Sequence, residues 1–294
     1  MPAVSLYLLE CTITSPIPPT QILSLAKIRL HDMVVDDDTL LSMLRSTRAS
    51  LQDLSLLGVV VETATGHTDI TQADFKLERL LQLRLESCTI GEQDLVQVLC
   101  TVGSSLKYLL IELFEDPDGQ GYQLWSAVSQ YAENMPQLRE THLTSPSQDS
   151  VPAVHFVKDV LHRFPKLEQC NLKSNVRTDL SFLRESSSSK MEAYPLRHAT
   201  FQIKKGALEH LLANTASLED LLVRRTSYMH LESVDIYLPA ITVAENTENS
   251  QNISMRDNRI ALNIAVARTL KRLLEHDTNV TERDLLDIRF RRCH

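Results

Sequence analysis

The chain has 294 residues, 38 acidic against 30 basic, a formal net charge of −8 and only 5% aromatic residues. That length suits one or two domains at roughly 100–200 residues each, or one repeat array. The acidic balance excludes a broadly basic nucleic-acid face, and the seven glycines form no GxGxxG or GxxxxGK[ST] loop to cradle a phosphate.

The opening MPAVSLYLLECTIT has no basic stretch ahead of its apolar residues, and Glu10 interrupts them, so it does not read as a secretory leader. No apolar run approaches the ~18 residues a membrane span requires. The five cysteines (Cys11, Cys88, Cys100, Cys170 and Cys293) are odd in number and include no CxxC pair. Free thiols in a reducing compartment follow, the cytoplasm or nucleus. The sequons at Asn252 and Asn279 then carry no weight.

The same opening contains LYLLECTI (Leu6–Ile13), and LRLESCTI recurs at Leu83–Ile90. With Leu80 in front, the second copy spells Leu-x-x-Leu-x-Leu-x-x-Cys-x-Ile. Leu25, Ile28, Leu30, Met33 and Val35 fit the same spacing, and so do Leu51, Leu54, Leu56, Val59 and Val61. Leu106, Leu109 and Ile111 follow, then Leu138, Thr141 and Leu143, with Thr141 in a leucine slot. Leu167, Cys170, Leu172 and Asn175 come next, then Leu196, Ala199 and Phe201, and last Leu218, Leu221 and Val223. Steps between first leucines from Leu25 onward are 26, 29, 26, 32, 29, 29 and 22 residues. The pattern resembles the leucine-rich repeat, whose template is L-x-x-L-x-L-x-x-N/C-x-L every 20–29 residues.

Between the strands, Leu40, Leu41 and Leu44 recur at helical spacing, as do Leu95, Val96 and Leu99. Each unit therefore reads as a short strand followed by a helix of about three turns. One unit cannot bury its apolar side alone, so neighbours stack. The expected fold is α/β: a leucine-rich-repeat solenoid over 1–243, with a curved parallel sheet on the concave side and helices outside. Cys11 and Cys88 then sit in an inward turning slot as structural residues. Met33, Val59, Phe114 and Pro146 fill that slot elsewhere. The serine run in 184–193 reads as a rim loop, and 244–258 as a flexible polar loop. LESVDIYLPAITV reads as an extra strand. Residues 259–294 form a cap, a helix carrying Ile260, Ile264, Ala267, Leu270 and Leu274, then the strand LLDIRF. No cap precedes the first unit, so the chain reads as an isoform, a fragment or a gene model missing its front.

Candidate chemistry is sparse. Asp36, Asp37 and Asp38 have the look of a cation site, but they fall where a helix begins, and capping explains them better. His155 and His162 have no carboxylate or cysteine at ligand spacing. Cys293 and His294 pair only by adjacency, and the basic run Arg289–Arg292 reads as a solvated tail. Trp125 and Tyr131 read as helix-face packing. No metal or cofactor is expected, and no catalytic residue.

The outward strand positions are more informative, because alternate residues point to opposite faces. Tyr7, Arg29, Ser55, Arg84, Leu110, His142, Asn171, Thr200 and Leu222 form one row. Leu9, His31, Leu57, Glu86, Glu112, Thr144, Lys173, Gln202 and Arg224 form the next. Leu57, Leu110 and Leu222 are expected as exposed leucines, a mark of a contact surface.

At PQLRETHL (Pro136–Leu143) and PKLEQCNL (Pro165–Leu172) the phrasing resembles the ribonuclease-inhibitor-like repeats of F-box proteins, notably fungal ones. The resemblance covers about residues 3–243. It implies a substrate-recognition arm docked on a cullin-based ubiquitin ligase through an N-terminal F-box and a small adaptor. No F-box segment precedes the repeats here. The expected function is a monomeric, non-catalytic module that binds a protein on its concave sheet, neither nucleic acid nor membrane. Alternatives are a GTPase regulator of the Ran-activating type and a free-standing scaffold or inhibitor.

Overall fold

Alternation of burial along each strand organises the fold. The structure, a computed structural model, describes residues 4–10, 24–62, 75–115, 124–144, 153–154, 156–178, 195–203, 232–238, 263–264, 267–268 and 287–292. The chain is α/β, with a parallel, unclosed sheet of many strands and few helices. It divides into two compact units, Met1–Pro152 with Arg163–Lys166, and Ala153–His162 with Leu167–His294. That division falls inside the span 1–243.

In the first unit, β1 (Val4–Leu9), β2 (Leu25–His31), β4 (Asp53–Leu57), β6 (Gln82–Thr89), β7 (Tyr108–Glu115) and β8 (Glu140–Thr144) lie side by side, all parallel. Two short strands, β3 (Val34–Asp36) and β5 (Val60–Glu62), pair with each other beyond the turns. The strand leucines stand in register: Ile28, Leu54, Leu83 and Leu109 in one line, and Leu30, Leu56, Leu85 and Ile111 in the next. All eight are at most 1% exposed, which is why the repeat spacing fixes the register. The first leucines Leu51, Leu80, Leu106 and Leu138 are buried beneath the strand entries. There each unit's backbone donates to the unit before: Gln52 N to Ala26 O, Leu81 N to Gln52 O, Lys107 N to Leu81 O and Arg139 N to Lys107 O, at 2.8–2.9 Å.

Helices occupy the intervals where the apolar spacing changes to helical. α1 (Asp37–Thr47) is capped by Asp36, whose carboxylate accepts from Thr39 N at 2.7 Å, with Asp37 and Asp38 in the first turn. The acidic run is therefore a helix start. α2 (Glu92–Thr101) buries Leu95, Val98 and Leu99, so Val98 takes the place expected for Val96. α3 (Leu124–Gln130) packs beside α2, and its Trp125 meets Phe164 edge-on at 6.2 Å.

The turn after the strands is a repeated device. Glu10, Asp32, Gly58 and Ser87 each follow the last open-face residue of their strand, and each has φ between 47° and 61°. Their N–H groups continue the ladder, Glu10 to His31 O, Asp32 to Leu57 O and Gly58 to Glu86 O. The next residue then drops inward: Met33, Val59 and Cys88 are buried. Cys88 donates to the carbonyls of Leu56 and Glu86, both at 3.4 Å, and burial pushes its thiol up to about 11. Cys88 is thus structural; Cys11, Pro146 and Cys293 lie outside the described residues. β7 breaks the rule. Cys88 pairs with Leu113, because Ser87 is an extra residue in β6; Phe114 is then an extra residue in β7 before Thr89 pairs with Glu115. The slot expected for Phe114 is filled by buried Leu113, while Phe114 is 64% exposed.

The second unit contains β9 (Ala153–Val154), a π-type turn at Phe156–Leu161, β10 (Gln169–Thr178), β11 (His198–Ile203), β12 (Ser233–Leu238) and β13 (Asp287–Arg292). β9 flanks β10, and β10 to β13 run parallel in that order. Cys170, Ala199, Val234 and Ile288 share one register line; the first three are buried. Both edges of β11 are taken, by β10 and β12, so the place expected for 218–223 belongs to 233–238. The reason is visible in sequence. Leu231, Val234 and Ile236 meet the template, and so do Leu285, Ile288, Phe290 and Cys293. The terminal strand of the expected cap is therefore a further strand of the same ladder. The serine run, the 244–258 loop, both sequons, His155 and His294 lie outside the described residues, as does most of the expected capping helix. Among the described residues no helix is long and apolar enough to cross a membrane.

Candidate functional site

In the first unit the strands bury one face and leave the other to solvent, and this open face carries three rows of side chains. The register of the pairings sets them out. Tyr7, Arg29, Ser55, Arg84, Leu110 and His142 form the middle row. Leu9, His31, Leu57, Glu86, Glu112 and Thr144 form the row toward the turns. Ser5, Lys27, Asp53, Gln82, Tyr108 and Glu140 form the row toward the strand entries. The first two rows were legible from the repeat; the third needed only one more step of the same alternation.

Neighbouring strands stand about 4.8 Å apart, so long side chains in these rows reach one another. The Arg29 guanidinium lies 5.4 Å from the Tyr7 ring centre, and its Nη2 is 3.5 Å from the Asp53 carboxylate. The Arg84 guanidinium lies 4.8 Å over the Tyr108 ring. The Tyr108 ring is 5.8 Å from that of His142, whose Nε2 is 2.8 Å from Glu140 Oε1. Burial raises the Tyr108 phenol above its ordinary range; Arg84 opposes that shift, and Glu140 and Glu86 add to it. His31 Nδ1 approaches the Asp32 carboxylate to 2.9 Å. The result is a belt of aromatic rings, arginines and carboxylates in which Arg29, Arg84 and Tyr108 meet side chains of neighbouring strands.

The expected residues divide as follows. Tyr7 is 60% exposed on β1, beside Leu9 at 61%. Arg29 and Glu112 are exposed, while His31, Arg84, Glu86 and His142 are half-buried. Leu57 and Leu110 are half-buried rather than exposed, and the exposed apolar groups of these strands include Tyr7 and Leu9 on β1 and Phe114 at the end of β7. Long neighbours in register explain the half-burial, since Glu86 stands beside Leu57 and Arg84 beside Leu110, and such stems cover apolar surface. Asn171 belongs to the second unit and is half-buried on β10. Lys173 lies on β10, with its side chain outside the described residues; Leu222 and Arg224 also lie outside them. The row expected to run from Thr200 to Leu222 runs from Thr200 to Asp235 and Arg289.

The alternation places Gln82 outward beside Arg84 and Glu86; Ser5, Lys27, Asp53, Tyr108 and Glu140 are the open-face residues of that row that sequence reasoning passed over. The signal was their position two residues before the middle row. Buried Cys88 and Cys170 have thiols raised by burial, the opposite of an activated nucleophile. Among the described residues no group of three His, Cys, Asp or Glu side chains is placed to hold a metal ion. The chain matches no protein-family model and no curated protein.

Proposed function

We propose that the chain is a leucine-rich-repeat solenoid that binds another protein on the open face of its sheet and performs no chemistry itself. In the narrower form of this reading it is the substrate-recognition arm of an F-box-type ubiquitin ligase receptor. The observation that carries the reading is the open face itself. Six strands in register hold aromatic, charged and half-buried apolar side chains in three rows. A surface fixed by a backbone ladder is ordered before binding, which lowers the entropy cost of association. Tyrosine and arginine are also the residue types that anchor protein interfaces.

The test is affinity capture with quantitative mass spectrometry, comparing the native chain with a double variant, Arg84→Glu with Leu110→Asp. Both changes are on half-buried open-face positions and leave the leucine core intact. The expected result is a partner retained by the native chain and lost by a variant whose circular dichroism and melting match the native chain. Capture unchanged by a folded double variant rules the face out. The partner also separates the readings: adaptor and cullin peptides mean a ligase receptor, a small GTPase means a regulator, and neither means a scaffold or inhibitor.

A further inference from the structure

Charge is unevenly distributed over the open face. β2 contributes Lys27, Arg29 and His31, whereas β6, β7 and β8 contribute Glu86, Glu112 and Glu140. Arg84 lies on the border. Of the two middle-row arginines, Arg29 already has a carboxylate partner in Asp53 at 3.5 Å. Arg84 has none: no carboxylate of the described residues comes within 4.0 Å of its guanidinium. Its Nη2 reaches only the Gln82 Oε1, at 3.3 Å, beyond the usual N–H···O range. Its Nε is enclosed and has no hydrogen-bond partner. The Tyr108 ring beneath fixes the guanidinium plane without satisfying its donors. Beside Arg84 in register stands Ser55, the smallest side chain of the middle row, with Arg29 on its far side. The two arginines are thus two strand spacings apart, about 10 Å, with only the short Ser55 side chain between them in the row.

We infer that Arg84 is the anchor for an acidic side chain, Asp or Glu, of the docking protein, with the carboxylate seated over Ser55 between Arg84 and Arg29. The two terminal nitrogens of the planar Arg84 guanidinium, one of them held only by the long contact to Gln82, match a carboxylate's two oxygens. Glu86 and Glu112 repel an acid from the β6–β7 side, whereas the one carboxylate of the β4 rows, Asp53, is already held by Arg29 at 3.5 Å, so the acid enters over β4. This inference rests on the proposed function, and the experiment separates the two.

A random 12-residue peptide library on phage is selected against the full chain, and the selected peptides are measured by calorimetry against the native chain, Arg84→Gln and Leu110→Asp. Thermal melting of each variant confirms folding, and Arg84→Lys keeps the charge without the fork. The expected result is peptides that share an Asp or Glu, bind at least ten-fold more weakly to Arg84→Gln, weaken with salt, and lose the Arg84 dependence when that acid is changed to its amide. Peptides weakened by Leu110→Asp but indifferent to Arg84→Gln overturn the anchor and leave the proposed function standing. Peptides indifferent to both variants, or no selected peptide at all, overturn both.

Discussion

Gly58 offers a quantitative test of the repeated turn. Its φ is 61°, and a methyl group added there would meet the Asp32 carboxylate. Two costs follow for Gly58→Ala. The left-handed backbone costs an L-residue about 1–2 kcal/mol. The Asp32 carboxylate must also swing aside, giving up its 2.9 Å contact with His31 Nδ1. Both partners of that contact are about half exposed, so its loss adds at most about 1 kcal/mol. Stiffening the unfolded chain returns about 0.4–1 kcal/mol. The net expectation is a loss of about 1.5 kcal/mol. At about 1–3 kcal/mol per molar urea, the midpoint falls by about 0.5–1.5 M. Ser87 occupies the same step of its unit with φ 53°. Ser87→Gly therefore relieves strain, offset in part by the roughly 0.5–1 kcal/mol entropy cost of glycine, and its midpoint should hold or rise. Urea unfolding followed by circular dichroism measures both. An unchanged midpoint for Gly58→Ala, or an equal fall for Ser87→Gly, refutes the left-handed turn as a repeated element.

Thr141 fills a leucine slot, is 1% exposed and has a hydroxyl without a hydrogen-bond partner; Thr141→Val should raise stability by about 1 kcal/mol in the same urea assay. Leu113 and Phe114 test the slot in β7: Leu113→Ala should cost about 2–4 kcal/mol, whereas Phe114→Ser, on an exposed position, should stay within about 0.5 kcal/mol. Cys88 should resist a thiol reagent such as dithionitrobenzoate at pH 8 in the folded chain and react once urea unfolds it. Because burial lifts its thiol from 9.0 to about 11, the unfolded chain releases this proton first. Stability from this group is complete below pH 9 and declines between pH 9 and 11, at up to about 1.4 kcal/mol per pH unit. Cys88→Ala should remove that share of the alkaline decline in unfolding titrations.

The strands of the first unit were legible because one template spacing both buries the leucines and sets the register. Leu54, Leu56, Leu83 and Leu85 need no information beyond their own intervals. The start of α1 was legible for a similarly local reason, since Asp36 caps the turn that follows it. Phe114 was misread because the extra residue falls before Cys88 in β6 and after Leu113 in β7, and a template counts residues without knowing where each strand places its extra one. The strand next to β11 was misplaced because two stretches, 218–223 and 231–236, fit the template almost equally well. Only the pairing of His198 with Ser233 distinguishes them. On the open face, positions came from alternation, but the arginine–tyrosine contacts did not. They depend on side-chain direction between residues 22 and 24 apart in sequence, Tyr7 with Arg29 and Arg84 with Tyr108, which no local pattern encodes.

The central claim is that each unit buries its apolar side only against its immediate neighbours. Methyl–methyl nuclear Overhauser contacts on a sample labelled at isoleucine, leucine and valine test it most directly. The account predicts a chain of contacts from Leu30 to Leu56, Leu56 to Leu85, Leu85 to Ile111 and Ile111 to Leu143, each between adjacent strands. Contacts that skip a unit, such as Leu30 to Ile111, or the absence of the adjacent ones, would contradict it.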